Sequence, residues 1–190
     1  MGEAKRRKLE LENWRSQLSS PERTIYDVCM RAYKNIVVAN HMTGGCYHVS
    51  FFLAEYLRQK HNIVVKLIVG YINDQSDDVM IPHAWIEYED KKIDLTLVLT
   101  DTQPKGPLLI LDREVARGDI SYTYHLEMSE AGKAVEQHLL RDERVRSIIE
   151  AKSAEHRRMI DAARSFASRI GYLAAAPNGM DYNAFSAMLD

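Results

Sequence analysis

One short interruption, Thr43-Gly44-Gly45 followed by Cys46, constrains this chain more than any other feature, because the hydrophobic period changes on either side of it. Before it, Ser19-Ser20-Pro21-Glu22 reads as a helix start, with a Ser N-cap, Pro at the first helical position and an acid in the first turn. Ile25, Val28, Cys29, Ala32 and Ile36 then recur at helical spacing, and that helix is expected to end near Asn40. The two glycines supply a flexible turn, and Cys46 opens a second helix that carries Val49, Phe52, Leu53, Tyr56 and Leu57 up to about Lys60.

Past that helix the pattern is extended. The β-branched run from Ile63 to Tyr71 reads as a buried strand, and Asn73 to Asp78 as an acidic loop. His83–Tyr88 and Lys91–Val98 read as a hairpin. Beyond the Pro- and Gly-rich loop 101–107, Leu108–Leu111 and Ile120–Leu126 are two further short strands. From Ser129 to about Ala176 the pattern is helical again and long enough to break into two helices. Ala176-Pro177-Asn178-Gly179 ends it, and Tyr182–Leu189 forms a last short helix. The fold class is therefore α+β: a charged arm over 1–20, a core over 21–127 with a helix packed on an antiparallel sheet, and a helical extension over 128–190 packed on that core.

With 190 residues the chain can bury one sizeable core. A net charge of −2 makes no case for nucleic acid, and the basic run Lys5–Lys8 reads as the solvated face of a frayed helix. No stretch approaches the length of a membrane span, and the charged first residues lack the apolar segment of a secretory signal. Arg6 breaks the myristoylation pattern that Gly2 would begin. Two cysteines, Cys29 and Cys46, make no disulfide framework, so a reducing cytoplasm is the expected compartment. Cys29 lies in the apolar stripe and reads as a core residue.

Cys46 differs because it stands at a helix start, where unpaired N–H groups and the helix dipole favour a thiolate. A nucleophilic cysteine also needs a base and an orienting group. Pro82-His83-Ala84-Trp85-Ile86-Glu87 and Lys92-Ile93-Asp94-Leu95-Thr96 supply them on the two hairpin strands. A two-residue turn at Glu89-Asp90 would pair Tyr88 with Lys91 and set His83 and Asp94 on one face, two residues apart, about 7–8 Å between Cα atoms. A turn shifted by one residue would send them to opposite faces. Glu-Asp is not a favoured turn pair, so the chemistry demands this register, and the turn residues do not.

Gly45-Cys46, Ile68-Val69-Gly70-Tyr71, His83-Ala84-Trp85-Ile86-Glu87 and Ile93-Asp94-Leu95-Thr96, in that order, resemble the transglutaminase-like superfamily of papain-like folds over roughly residues 40–100. The resemblance implies Cys46 as nucleophile, His83 as general base and acid, and Asp94 as the orienting acid. It implies acyl-enzyme chemistry on a peptide or protein amide, by a peptidase, deamidase, amide hydrolase or acyltransferase, with no cofactor. Family members often carry Asp-Pro-Thr where this chain has Asp94-Leu95-Thr96. Papain-like enzymes place a glutamine amide where Asn40 lies, six residues before Cys46. Asn40 is accordingly a candidate oxyanion donor, although a helix C-cap suits it better. Gly45, Trp85 and His41 are candidate cleft-lining residues.

Zinc is the chemical rival, since Cys46, His48, His83 and Asp94 are all possible ligands; but Cys-x-His at a helix start is not a common zinc spacing, and no metal is expected. A different class of function also fits the chain. It is a catalytically inactive transglutaminase-like binding or adaptor module that uses its C-terminal helices for partners or for self-association.

Overall fold

In a computed structural model the chain is described over residues 2–98, 106–176 and 180–190. It is α+β, with seven α-helices and one six-stranded antiparallel sheet among the described residues. The loop expected over 101–107 falls outside these residues up to 105, as does the break at 177–179.

Helix α1 (Glu3–Gln17) buries no residue, as its uniformly polar sequence requires. Helix α2 (Ser20–Ala32) begins with a full capping box: the Ser19 side chain accepts from the Glu22 backbone N–H, and the Glu22 carboxylate accepts from the Ser19 N–H at 2.8 Å. Lys91 Nζ also reaches Glu22, at 2.5 Å, and these donors hold the carboxyl down at about 2. The α-helix does not run on to Asn40. It widens into a π-helical stretch, Tyr33–Val38, a form that often marks functional sites. Met42 N–H then bonds back to Val37 O, and His41 and Gly44 adopt left-handed conformations, turning the chain into helix α3 (Cys46–His61). Asn62, left-handed, caps α3.

The sheet order is β5-β4-β3-β2-β1-β6. Strand β1 (Lys66–Asn73) pairs with β2 (Ile81–Tyr88) over seven residues. Strand β1 starts at Lys66 rather than Ile63 because the α3 cap uses the intervening chain, Ile63 N–H bonding to Leu57 O. Strand β3 (Lys91–Asp94) is four residues shorter than expected: the Asp94 carboxylate accepts from the Thr96 N–H and turns the chain out of the sheet. Strand β4 (Leu108–Ile110) and β5 (Arg113–Ala116) form a hairpin whose second strand was not expected, its turn at Leu111-Asp112 carrying neither Gly nor Asn. Strand β6 (Thr123–His125) pairs with β1.

The C-terminal pattern breaks into three helices, not two: α4 (Glu130–Leu139), α5 (Glu143–Ala163) and α6 (Phe166–Ala174). Each start is set by a polar cap, Ser129, Asp142 and Ser165, whose side chain accepts from its own helix's first turn. Helix α7 (Tyr182–Ala187) follows. Helices α2 and α3 pack over Ala84, Ile86 and Ile93 of the sheet to form the core, and α5 lies against β1 and β2. Among the described residues no helix is long and apolar enough to cross a membrane.

Candidate active site

The β2–β3 turn decides whether the hairpin can bring its histidine and aspartate together. Ladder pairs Tyr88↔Lys91, Glu87↔Lys92 and Ile86↔Ile93 leave Glu89-Asp90 as a two-residue turn, and both residues take left-handed φ, +48° and +62°. This primed turn puts His83 and Asp94 on one face despite its unfavourable residues. His83 Nε2–H donates to Asp94 Oδ2 at 2.6 Å. That leaves Nδ1 for the Cys46 side chain, which hydrogen-bonds the same ring.

Helix α3 reaches this point because β3 ends early. Pairing of β2 with β3 stops at Ile86, and the Ser50 hydroxyl donates to the carbonyl of Ala84 beyond the ladder, at 3.0 Å. The helix's opening turns are thereby fixed against the stretch of β2 that carries His83. Gly70 faces His83 across the β1–β2 ladder, and a side chain there would run into the His125 carbonyl and the Trp85 ring.

The aspartate is saturated with donors. Oδ2 accepts from His83 and from the Tyr124 hydroxyl at 3.1 Å; Oδ1 accepts from the Thr96 N–H at 3.1 Å and the Thr96 hydroxyl at 3.0 Å. Burial works against the charge on Asp94, but His83 and these donors overcome it and hold the carboxyl below its ordinary range. Burial also disfavours the His83 cation. The Asp94 and Cys46 charges on either side reverse that, lifting the ring to about 10, so it is an imidazolium at neutral pH. Tyr124 was not singled out by sequence reasoning; its only signal is the Tyr122, Tyr124, Leu126 alternation that puts it on the strand beside β1.

The remaining candidates are less directly engaged. Trp85 is buried, with its ring edge-on to Tyr124 at 5.0 Å and its indole N–H donating to Glu87. Gly45 lies under the Met42 side chain, where a Cβ would not fit. His41 is exposed on the loop before α3. Asn40 is corrected: its amide donates to Asn35 O at 3.2 Å and Ile36 O at 2.8 Å, the carbonyls that the end of the π-helical stretch leaves open. Both amide protons are spent there, so none is left for an oxyanion. The first-turn N–H groups of α3, which has no side-chain N-cap, are the donors that remain.

The C-terminal helices enclose the site from the other side. Tyr47 O–H meets His156 Nδ1 on α5 at 2.8 Å, and Tyr172 O–H meets His48 Nδ1 from α6 at 3.1 Å. Cys46, His83 and Asp94 are 7%, 5% and 2% exposed. Cys29 is fully buried, and burial pushes its thiol far above the ordinary value. Among the described residues no three His, Cys, Asp or Glu side chains are placed to hold a metal ion. The chain matches no family model, no curated protein and no solved structure.

Proposed function

We propose that this protein is a thiol-dependent acyl-transfer enzyme of transglutaminase-like, papain-like type, acting on an amide or peptide bond. The observation that carries the reading is His83, held between the Cys46 thiol and the Asp94 carboxylate with a separate ring nitrogen for each. In this reading Cys46 attacks the amide carbonyl while its proton resides on His83. The tetrahedral oxyanion forms within reach of the α3 first-turn N–H groups. His83 then delivers its proton to the leaving amine, the C–N bond breaks, and a thioester remains on Cys46. Water or an amine, deprotonated by His83, attacks the thioester and restores the thiol. Asp94 holds the imidazole in register and stabilises its charged form. The free state of both cysteines suits a reducing compartment such as the cytoplasm.

The reading is tested by the rate at which iodoacetamide alkylates Cys46 at neutral pH, followed by peptide mass mapping. His83→Ala is expected to slow that rate by roughly a hundredfold, the low end of acid–base effects. An unchanged rate would exclude His83 as the thiol's base. One observation favours the second reading, a catalytically idle binding module: Cys46 is only 7% exposed. That reading expects Cys46 to resist alkylation in wild type and in His83→Ala alike.

A further inference from the structure

A groove of about 250 Å³ lies outside the triad, between the start of β2 and the α4–α5 pair. Its walls include Met80, Pro82, Val135, Leu139 and Ile149. Helix α4 explains why the groove stays open: its sequence is amphipathic, yet Gly132 is its only buried residue, because the Met80 side chain packs where a Cβ would stand. Val135 and Leu139 therefore face the groove half-buried, with no protein partner filling it. The charged residues lining it are Lys152 and Glu136, of opposite sign, and Glu136 is held by the Ser153 hydroxyl at 2.9 Å. Such a lining selects an uncharged, apolar occupant. A dry cavity of about 150 Å³ already takes up benzene, so this volume accommodates a larger body.

Position ties the groove to the thiol. Pro82 lines it and His83 is the next residue of β2. Ser153 lines it, and one turn on along α5 stands His156, bonded to Tyr47, the neighbour of Cys46. Tyr71, the ladder partner of Pro82, lies 4.5 Å from the His156 ring between centroids. This Tyr71–His156–Tyr47 cluster separates the groove from the nucleophile. It contains an unanswered polar atom. His156 is 2% exposed, and its Nε2 has no partner among the described residues. Tyr47 O–H, buried with no other acceptor, donates to Nδ1, so the ring proton sits on Nε2 as a donor awaiting an acceptor.

We propose that this groove binds the aliphatic portion of the amide substrate, with His156 Nε2–H donating to a carbonyl oxygen of the same molecule. The inference rests on the acyl-transfer reading above and names its substrate class: amides bearing an extended uncharged aliphatic group beside the scissile bond. That group has two possible sources, a simple acyl chain or the aliphatic side chains of a peptide.

The test compares the alkylation rate of Cys46 by chloroacetone with its rate by two larger chloromethyl ketones, one with an octyl chain and one on a Val-Leu dipeptide. In wild type at least one larger ketone is expected to react tenfold or more faster, since each buried methylene gives roughly a fourfold gain. The faster of the two identifies the source. Val135→Glu is expected to bring the ratio to near one, as is the milder Leu139→Gln, and His156→Phe to lower it severalfold; the chloroacetone rate serves as the internal standard in every variant. A wild-type ratio near one overturns the groove proposal while leaving the acyl-transfer reading intact. So does a high ratio unaffected by both groove variants. Cys46 inert to all three ketones and to iodoacetamide overturns both.

Discussion

Helix α3 and helix α5 are 16 and 21 residues long, yet α3 buries eleven side chains and α5 only His156 and Met159. The two regions they belong to hold together differently. Around α3, Phe51, Phe52, Leu53 and Leu57 meet Ala84, Ile86 and Ile93 in a contiguous apolar core. The C-terminal layer is tied on largely through polar contacts. Arg169 Nε reaches the buried Glu55 carboxylate at 2.5 Å, Arg31 and Asn35 donate to the carbonyls of Leu189 and Met188, and Tyr47 bonds His156. Apolar burial is indifferent to small shifts in angle, whereas a buried ion pair fails when either partner moves. The core is thus built to persist, and the layer over the thiol is built to be released as a unit. Its helices also leave the open groove, which a fully packed layer would have filled.

Substitutions on the two sides of this divide should behave differently. Trp85→Ala, in the core beside Tyr124, is expected to cost about 3–5 kcal/mol and lower the urea midpoint of the whole molecule. Arg169→Met leaves Glu55 buried with Arg58 as its remaining partner and is expected to cost about 3 kcal/mol. Its signature should be regional: faster amide hydrogen exchange in α5 and α6 with α3 unchanged. Equal acceleration in α3 would show that the two regions open together and that the contrast is false.

The buried pair of the site adds a pH dependence to the core side. His83 is raised to about 10, so its contribution to stability is full below the ordinary histidine value near 6.5 and is lost as pH climbs from there through about 10. Asp94 is depressed, so its share is present above the ordinary carboxylate range and disappears only as pH falls below it. Urea midpoints of His83→Gln should therefore lack the alkaline decline seen in wild type. A smaller effect, about 1 kcal/mol, is expected for Tyr124→Phe, which removes one of the four donors on Asp94. Ser19→Ala, which breaks the α2 capping box, should cost about 1 kcal/mol or slightly less, with no change in the reactivity of Cys46.

Local chemistry made several features readable in advance. The Ser19–Glu22 box announces α2 by residue type alone, the double glycine before Cys46 announces a break and a new helix, and alternation marks the β1 and β2 strands. These depend on neighbours a few positions apart, which is the range over which capping, turn preference and periodicity act. Asn40 as a C-cap belongs to the same class, since its acceptors lie four and five residues away.

Other features were decided at long range. Glu89-Asp90 is a poor turn by its residues, and only the pairing of two buried strands forces its left-handed backbone. Tyr124 reaches Asp94 because β6 pairs with β1 on the far side of β2, a placement that no spacing within 120–126 encodes. The groove exists because Met80 occupies the space over Gly132, two residues fifty-two positions apart. Residue identity thus determined which groups this chain has for chemistry and where its helices begin. Which of those groups meet, and what space remains beside them, followed from strand register and packing, because those interactions are set by the whole core and not by any local window.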